Sequence, residues 1–365
     1  MKIAIIGTRG VPARYGGFET CAEELGKRLV CRGHEVFVYG HSNYYQEKPS
    51  EYVGMKPIYL RGLRLKAFET LSHTLSALLH AVRRPYDIYF VFNCANSPLL
   101  VLPKALRKNV VLHVDGLEWK RAKWSALGRK YYRFAERLAA KLRVELVSDN
   151  GGIRDHYREK HNRETHCIPY GARLEFSQNS DLLAQFGLNP GEYFLQITRI
   201  EPENNPDLSV KAFSSLETDK KLVLVGDVKY KSSYASEVFS TQDKRIHFLG
   251  YLYDKNILRE LRCNAFAYFH GNEVGGTNPA LLEAMAAGRF VLARDVPFNR
   301  EVLRDAGVYF QKDLEDVKAK MSWTLDNADK LKRLGEKARA IIRENYNWDA
   351  VVDAYETLFH NIMET

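Results

Sequence analysis

The amino-acid sequence predicts an α/β protein with two doubly wound, Rossmann-like domains built on parallel sheets. Short apolar runs typical of buried strands alternate with helical patterns along nearly the whole chain, which favours parallel sheets wrapped by helices. This alternation pauses at a polar stretch near residues 173–190 and then resumes. At 365 residues the chain also exceeds the usual size of one hydrophobic core. We therefore expect a first domain over residues 1–175, a second over 176–345 and a terminal helix over 346–365.

Ten strands are expected, five in each domain. They span residues 3–6, 35–39, 88–92, 110–114 and 145–147 in the first domain, and 193–197, 222–225, 246–249, 265–269 and 290–293 in the second. Helical patterns lie between them, as at residues 19–32 and 279–287, and an amphipathic pattern follows Trp348. Open parallel sheets bind ligands at the carboxyl ends of their strands, so we expect the functional site there, in a cleft between the domains.

The composition is that of a globular protein from a reducing compartment. Hydrophobic residues make up 45% of the chain and charged residues 27%, and no apolar run approaches the roughly 18–20 residues that span a bilayer. Residues 1–7 are expected to form a buried strand and its turn, not a signal peptide. The five scattered cysteines lack a Cys-x-x-Cys pair, which predicts free thiols without a disulfide framework or a zinc site. We expect a cytoplasmic protein.

The net charge of +9 is concentrated in one segment. Residues 119–143 contain nine Lys or Arg and a single acid, Glu136, with five aromatic side chains among the cations. A segment of this kind can lie on an anionic membrane surface or hold phosphates. The competing interpretation is a solvated helix face whose aromatic residues pack inward. We favour peripheral attachment to the inner face of the cell membrane. No nucleic-acid-binding motif accompanies the charge, so no nucleic acid partner is expected.

A glycine-rich turn at residues 275–279 runs directly into a helix with Pro279 in its first turn. The free amides of that helix start would form an anion site, and the glycines let a ligand approach the backbone. Glu283, about one turn further, can reach back toward such a ligand. This pattern fits a nucleoside diphosphate, whose ribose hydroxyls the carboxylate would bind. The alternative is an ordinary capped helix with a solvated glutamate. The candidate donor-binding residues here are Gly276, Thr277, Asn278 and Glu283.

A second glycine loop follows the first strand, where Gly16 and Gly17 open a helix. The loop departs from the Gly-x-Gly-x-x-Gly spacing, and the second strand ends without an acid to hold a ribose, which argues against a nucleotide-dependent oxidoreductase. A Gly-Gly turn at a helix start still suits a phosphate or a sugar, so both glycines are candidate donor-binding residues. The alternative is a tight turn that needs a positive φ.

Two further polar side chains are expected at strand ends. Asp115 would face the cleft, where a carboxylate can position an acceptor hydroxyl or stabilise a positive anomeric carbon. His113 shares its face in a regular strand, but is packed if the strand ends between them. Arg199 is placed to clamp a diphosphate, with an ion pair to Glu201 or Glu203 as the alternative. No Asp-x-Asp occurs, so helix dipoles and arginine, not a metal, are expected to carry the leaving-group charge.

Together these segments resemble glycosyltransferase family 4, a retaining family with the GT-B fold, over nearly the whole chain. The matching motifs are Gly16-Gly17-x-Glu19, Ile168-Pro169-Tyr170-Gly171, Arg199, Val225-Gly226-Asp227, Phe248-Leu249-Gly250, Glu283-Ala284-Met285-Ala286 and Tyr346-Asn347-Trp348. The resemblance implies an acceptor-side first domain, a second domain that binds the nucleotide sugar, and a terminal helix that crosses back to the first domain. Strings within residues 7–20, 115–124, 201–205 and 274–283 resemble a subgroup that contains polysaccharide rhamnosyltransferases.

Three positions depart from the family pattern. The first glutamate of the Glu-x7-Glu signature falls at Gly275, and Glu273 is the candidate that substitutes for it as a sugar contact. The phosphate lysine expected five residues after Arg199 is Asn204. Asp115 stands in place of a histidine of the catalytic region, and it is our candidate catalytic residue.

The resemblance implies a metal-independent transferase without a cofactor. Its donor would be a nucleoside diphosphate sugar, most simply dTDP-rhamnose, and its acceptor a saccharide or lipid-linked saccharide in surface-polysaccharide assembly, with retention of anomeric configuration. One alternative is a nucleotide-sugar 2-epimerase of the same fold, which needs no acceptor. The other is a non-catalytic partner subunit, favoured by the missing glutamate at position 275 but opposed by the presence of Arg199 and Glu283.

Overall fold

The computed structural model describes residues 1–13, 16–63, 69–121, 124–228 and 232–364. The chain forms two compact units. The first consists of Met1–Lys120, Trp124–Tyr170 and Trp348–Thr365, and the second of Arg121–Lys123 and Gly171–Asn347. Each unit is built on its own parallel sheet, so the predicted α/β class with two Rossmann-like sheets is confirmed.

Seven parallel strands form the sheet of the first unit, in the order β3-β2-β1-β4-β5-β6-β7. The strands are β1 Lys2–Ile6, β2 Glu35–His41, β3 Lys56–Leu60, β4 Ile88–Phe92, β5 Val110–His113, β6 Glu145–Ser148 and β7 His166–Cys167. The helices of this unit are α1 Gly17–Cys31, α2 Glu69–Ala81, α3 Val101–Ala105, α4 Ala126–Lys141, α5 Gly151–His161 and α13 Trp348–Glu364. Every residue of β4 is buried, which explains why its sequence is an uninterrupted apolar run.

Six parallel strands form the sheet of the second unit, in the order β10-β9-β8-β11-β12-β13. The strands are β8 Tyr193–Ile197, β9 Lys221–Val225, β10 Ile246–Phe248, β11 Ala267–His270, β12 Val291–Arg294 and β13 Val308–Phe310. The helices are α6 Pro206–Ser214, α7 Ser233–Phe239, α8 Lys255–Asn264, α9 Pro279–Ala286, α10 Pro297–Leu303, α11 Leu314–Asp326 and α12 Ala328–Asn345. Side chains of the strands and of α6 and α11 meet in one hydrophobic core that includes Phe194, Phe213 and Met321.

Helix α13 completes the first unit at the end of the chain. Tyr355 and Phe359 pack against Phe90 of β4, with ring centroids 5.2 and 5.8 Å apart. On its polar side, Glu356 lies 2.7 Å from a guanidinium nitrogen of Arg32 and 2.6 Å from His34 Nε2. The apolar residues of the amphipathic pattern after Trp348 therefore form the face of α13 that packs on the sheet of the first unit.

All ten predicted strands are present, with ends shifted by no more than two residues. Strands β3, β7 and β13 were not predicted. Strand β3 is half-buried at the edge of its sheet and contains Pro57, whereas β7 and β13 have only two and three residues. Strand β3 begins with a lysine and a proline and β7 has no apolar run, whereas β13 is apolar but only three residues long.

Candidate functional site

The carboxyl edge of the second sheet contains a switch point between β8 and β11. From β8 the chain proceeds to β9 and β10 on one side, and it then returns to β11 on the other side of β8. Open parallel sheets bind ligands at such points, because the loops after the two strands diverge there. Here the loops are joined by hydrogen bonds. Asn205 Nδ2 donates to the Gly271 carbonyl at 2.7 Å, and the Glu273 N–H donates to the Glu203 carbonyl at 2.9 Å.

Two glycines let the strand-end loops approach each other. A Cβ atom on Gly226 would lie 1.8 Å from the carbonyl oxygen of Thr198, and one on Gly271 would lie 2.2 Å from that of Asn204. Any larger residue at either position would therefore displace the loop after β8. The close approach of Gly226 to Thr198 and of Gly271 to Asn204 thus fixes the backbone of the loop that contains Arg199.

The helix start predicted near residue 279 is the start of α9. Asn278 is the N-cap, and its side-chain oxygen accepts a hydrogen bond from the Ala280 N–H at 3.0 Å. Thr277 is buried, whereas Gly275 has a φ of +152° and faces open space. A surface depression beside this turn is lined in part by Glu273, Gly275, Gly276 and Asn278. Backbone and polar side chains therefore line the depression at the helix start.

Glu283 lies in α9 as part of a charge network. Its Oε2 is 3.0 Å from Arg262 Nη1, and Arg262 donates two hydrogen bonds to Glu175, at 2.7 and 2.6 Å. Burial by itself lowers the pKa of Arg262, but the charges of Glu283 and Glu175 raise it above its ordinary value. The Arg262 side chain is 6% exposed and the Glu283 side chain 37% exposed. A buried guanidinium thus orients a carboxylate that still reaches the surface.

The other charged candidates of the second unit also lie near opposite charges. Glu273 is 3.1 Å from Arg294 and 3.0 Å from Lys312. Arg199 is 3.7 Å from Glu201, beyond hydrogen-bond distance, and its side chain is 39% exposed. The ion pair that competes with the diphosphate interpretation of Arg199 is therefore present as a loose contact with Glu201.

Glu203 is a buried carboxylate at this edge that the sequence suggested only as a partner for Arg199. Among the described residues, neither of its side-chain oxygens accepts a hydrogen bond, and Oε1 lies 3.8 Å from Arg121 Nη1. Asn204, which stands where the family has a lysine, donates from Nδ2 to the Arg199 carbonyl at 2.9 Å. In the sequence, these positions of Glu203 and Asn204 were indicated only by the Glu-Pro-Glu-Asn-Asn string that follows β8. The loop thus combines one buried charge with an amide that holds the Arg199 backbone.

In the first unit, the glycine loop is held by a glutamate at the start of α1. Glu19 Oε1 accepts a hydrogen bond from the Arg9 N–H at 2.8 Å. Gly16 caps the helix, Gly17 is its first residue, and neither has a positive φ. A Cβ atom on Gly16 would lie 3.1 Å from Glu19 Oε2, so glycine leaves room for this glutamate. The alternative of a turn that needs a positive φ is therefore wrong for both glycines. Tyr15 of the same motif lies outside the described residues.

Strand β5 ends at His113, and this side chain is packed, as expected for a strand that ends before Asp115. The buried ring stacks on Phe92 and on Tyr170, with centroid distances of 5.3 and 5.5 Å, and burial lowers its pKa to about 3. Asp115 follows with a φ of +65°, a left-handed conformation that Asp and Asn tolerate. Its N–H donates to His113 Nδ1 at 3.3 Å. The buried imidazole therefore supports the backbone of Asp115.

The basic segment at residues 119–143 forms a short 3₁₀ turn and helix α4. Tyr132 of this helix is buried, as the solvated-face interpretation requires, but Leu127 and Phe134 are 78% and 54% exposed. Residues 122 and 123 of the segment lie outside the described residues. Within the part of the chain that the structure describes, no helix is long and apolar enough to cross a membrane.

Comparisons with known proteins match the two parts of the chain separately. Residues 1–173 match a family model described as a domain of unknown function (DUF1972), and residues 180–341 match the model of the glycosyl transferases group 1. A curated relative, the uncharacterized glycosyltransferase MJ1069 of Methanocaldococcus jannaschii, is 24% identical over 164 residues. The match covers 42% of this chain and 41% of that protein.

Solved structures share the fold over the whole chain. The sucrose-phosphate synthase from Thermosynechococcus elongatus has a TM-score of 0.85 at 18% identity, over 100% of this chain and 99% of that one. Anabaena HepE in complex with UDP-glucose has a TM-score of 0.78 at 16% identity, over 98% of this chain and 99% of that one. Residues 180–341 therefore resemble a group 1 glycosyl transferase domain, and the chain has the GT-B fold of these solved structures.

Proposed function

We propose that the protein transfers a sugar from a nucleoside diphosphate sugar to a saccharide or lipid-linked saccharide, with the donor held at the carboxyl edge of the second sheet. The observation that carries the proposal is the switch point between β8 and β11, which lies within the group 1 match and places the Arg199 loop beside the turn that opens α9. The solved complex of HepE with UDP-glucose, a protein of the same fold, supports a nucleotide sugar as the donor.

The donor would be bound by backbone and charge together. Amides of Gly276, Thr277 and Asn278 would meet phosphate or sugar oxygens, since the start of a helix favours anions. Arg199, whose contact with Glu201 is loose, would pair with the diphosphate. Glu283, oriented by Arg262, would accept hydrogen bonds from the ribose hydroxyls. Gly16 and Gly17 are proposed as donor contacts from the first unit.

Glu273 is proposed as a sugar contact in place of the glutamate missing at position 275. It lines the same depression as Gly275 and Gly276. Of its two cationic partners, Arg294 is 14% exposed and Lys312 is 49% exposed. Lys312 can therefore turn to solvent when a sugar arrives, while Arg294 continues to balance the charge of the carboxylate.

The proposed chemistry needs no metal. The bond between the anomeric carbon and the diphosphate oxygen breaks, the acceptor hydroxyl forms the new glycosidic bond, and its proton passes to the departing phosphate. Arg199 and the start of α9 would stabilise the leaving diphosphate, and Asp115 the positive charge on the anomeric carbon. The rhamnosyltransferase-like strings support dTDP-rhamnose as the donor, surface-polysaccharide assembly as the setting, and retention of configuration.

The exposed face of α4 is proposed to attach the protein to an anionic membrane. Leu127 and Phe134 are seven residues apart and therefore share a helix face, with exposed Lys130 and Arg137 beside them. Each basic residue near an anionic surface contributes on the order of 1 kcal/mol. Flotation with anionic liposomes should show binding at low salt, release at high salt, and loss of binding in a Leu127→Ser, Phe134→Ser double variant. Failure of the parent protein to float at low salt would contradict the attachment.

The proposed activity is tested first by binding and then by turnover. Thermal unfolding is measured with a panel of nucleotide sugars, where a ligand at 100 times its Kd stabilises the fold by roughly 2.7 kcal/mol. The stabilising donor is then incubated with and without saccharide acceptors. A product that forms only with acceptor supports the transferase. A free sugar released from the donor alone would identify the epimerase, and the absence of stabilisation by any nucleotide sugar would contradict the proposal.

A further inference from the structure

Helices α4 and α5 bring together one carboxylate and two imidazoles, none of which is among the residues proposed to bind the donor. Glu136 Oε1 lies 3.0 Å from His156 Nε2 and 2.7 Å from His161 Nε2. Glu136 is 3% exposed, and the side chains of His156 and His161 are 17% and 9% exposed. One ligand atom of each residue lies within 4.8 Å of the other two. The cluster is thus compact and nearly closed to solvent.

The arrangement has the features of a first-row metal site. A zinc ion bound at about 2.0–2.2 Å from each nitrogen and oxygen needs three ligand atoms that surround one point, as in sites with two histidines and one glutamate. Trp119 Nε1 donates to the other oxygen of Glu136 at 2.8 Å, so the carboxylate is fixed with Oε1 toward the imidazoles. Hydrogen bonds of this kind, made to a ligand by a neighbouring group, orient the ligands of known metal sites.

Nε2 of each histidine faces the same oxygen of Glu136, at 3.0 and 2.7 Å. A metal would take the place of the protons between these atoms. Each imidazole would then carry its proton on Nδ1 and offer the Nε2 lone pair to the ion.

One cation must move for a metal to bind. Lys160 Nζ lies 3.9 Å from Glu136 Oε1 and also 4.9 Å from the centre of the Trp119 ring. Its side chain is 43% exposed, so it can extend into solvent. Lys120 and Arg133 also lie over the Trp119 ring, and this positive surrounding will weaken the site without removing its ligands.

We propose that Glu136, His156 and His161 form a transition-metal site, best suited to Zn²⁺, that ties α4 to α5. Imidazole ligands suit zinc, whereas the all-oxygen sets preferred by Mg²⁺ and Ca²⁺ are absent from this cluster. The site is distinct from the donor site and does not rest on the proposed function. Its role is to hold the basic helix α4 against α5.

Metal binding is measured on the full chain after chelator treatment and dialysis. Zn²⁺ is titrated in competition with a chromophoric chelator, and Co²⁺ is titrated to read its visible absorption. We expect saturable binding of one ion at this site and a Co²⁺ spectrum of four-coordinate type. Glu136→Gln, His156→Ala and His161→Ala should each weaken Zn²⁺ binding by about tenfold or more, because each removes one of three protein ligands.

His166→Ala is the matched control. His166 also contacts a glutamate, Glu145 at 2.9 Å, but the pair is exposed and has no second histidine. This variant should bind Zn²⁺ as the parent does. His161→Ala, at the end of α5, keeps the test informative if Glu136→Gln fails to fold. The proposal is overturned if the parent shows no saturable binding, or if the His161→Ala and His166→Ala variants bind equally well.

Discussion

The two units place glutamates at the carboxyl edge of similar parallel sheets but give them different partners. In the first unit, Glu19 and Glu23 accept hydrogen bonds from backbone N–H groups of the loop after β1, at 2.8 and 2.7 Å. In the second unit, Glu273 and Glu283 lie 3.1 and 3.0 Å from arginine side chains. The sheet determines where such acids lie, whereas the neighbouring group decides whether an acid binds an uncharged backbone amide or pairs with a cationic side chain.

Removal of the arginine beside Glu283 is the strongest test of the charge-based arrangement. Arg262→Leu would leave Glu175 and Glu283 beside a buried apolar side chain. Loss of one partner from a buried ion pair costs about 3–5 kcal/mol, and we expect a loss near the lower end because the two carboxylates are 18% and 37% exposed. The free energy of unfolding is measured by chemical denaturation. Lys211→Leu, which breaks an exposed pair with Glu237, is the control and should cost about 0–1 kcal/mol. Equal losses in the two variants would show that the Arg262 network contributes no more to the free energy of unfolding than an exposed ion pair does.

Asp115→Asn tests whether the first unit contains one acid that does act through its charge. Asparagine tolerates a φ of +65° and keeps hydrogen-bonding capacity, so the fold should be unchanged. We expect turnover to fall by about 100-fold or more with little change in donor affinity, the pattern of an interaction made in the transition state. The measurements are kcat and the donor Kd. Near-native turnover would mean that Asp115 serves only the turn. It would move the catalytic hypothesis to Glu273 or to Glu118, a buried acid three residues after Asp115 that accepts a hydrogen bond from Trp124 Nε1 at 3.2 Å.

Arg199→Ala and Glu283→Ala test the charges that the second unit is proposed to offer the donor. Loss of a charge-assisted hydrogen bond should weaken donor binding by roughly 1.5–3 kcal/mol. Calorimetric titration with the stabilising nucleotide sugar measures the Kd, and circular dichroism confirms that each variant is folded. Lys211→Leu again serves as the control. If both variants keep the parent affinity, the donor site lies elsewhere.

Acidification should lower the folding stability of the two units by different amounts. Burial lowers the pKa of His73 to about 4 and of His113 to about 3 in the first unit, and of His270 to about 3 in the second. The unfolded imidazoles take up protons near pH 6.5, so the stability that these neutral side chains contribute is complete above that pH. It falls by roughly 1.4 kcal/mol per histidine for each pH unit below it.

Between pH 6.5 and 5, the first unit should therefore lose about twice as much stability from these groups as the second. Scanning calorimetry at pH 7 and pH 5 measures the two transitions. A second unit that loses stability faster than the first would contradict the assignment.

The smallest expected effect concerns the hydrogen-bonded acid of the first unit. Glu19→Gln keeps an oxygen for the Arg9 N–H and should cost about 1 kcal/mol or less. Glu19→Ala leaves that donor without its partner and should cost about 1–3 kcal/mol. If the glutamine variant is as unstable as the alanine variant, the negative charge of Glu19 also contributes to stability. The acids of the first unit would then differ less from those of the second than their hydrogen-bond partners suggest.

The strands and the start of α9 were predictable because their signals are local. A buried parallel strand such as β4 must be apolar along its length, and a helix that begins Asn-Pro carries its cap in adjacent residues. Strand β7 was not predicted because two residues are too short to show any period, and β13, three residues at the edge of its sheet, was overlooked although it is apolar. Tertiary pairing, not local sequence, makes them strands.

The partners of the candidate acids were not predictable in the same way. Arg262 lies 87 residues from Glu175 in the chain, and no short motif joins them. His156 and His161 follow Glu136 by 20 and 25 residues, a spacing that matches no familiar metal motif, and so the expectation of no zinc site rested on the cysteines alone. Such contacts form only when segments that are distant in the chain pack together in space.

The sequence by itself determined the two α/β units, the strand ends at which polar side chains gather, and the glycine-rich turn that opens α9. Periodicity, apolar runs and turn residues act over a few neighbours, so they can be recognised without coordinates. Only the tertiary structure decided that Glu19 binds a backbone amide, that Glu283 binds a buried arginine and that Glu136 meets two histidines. The energy of a charged side chain depends on what surrounds it in space, and folding brings those surroundings from distant parts of the chain.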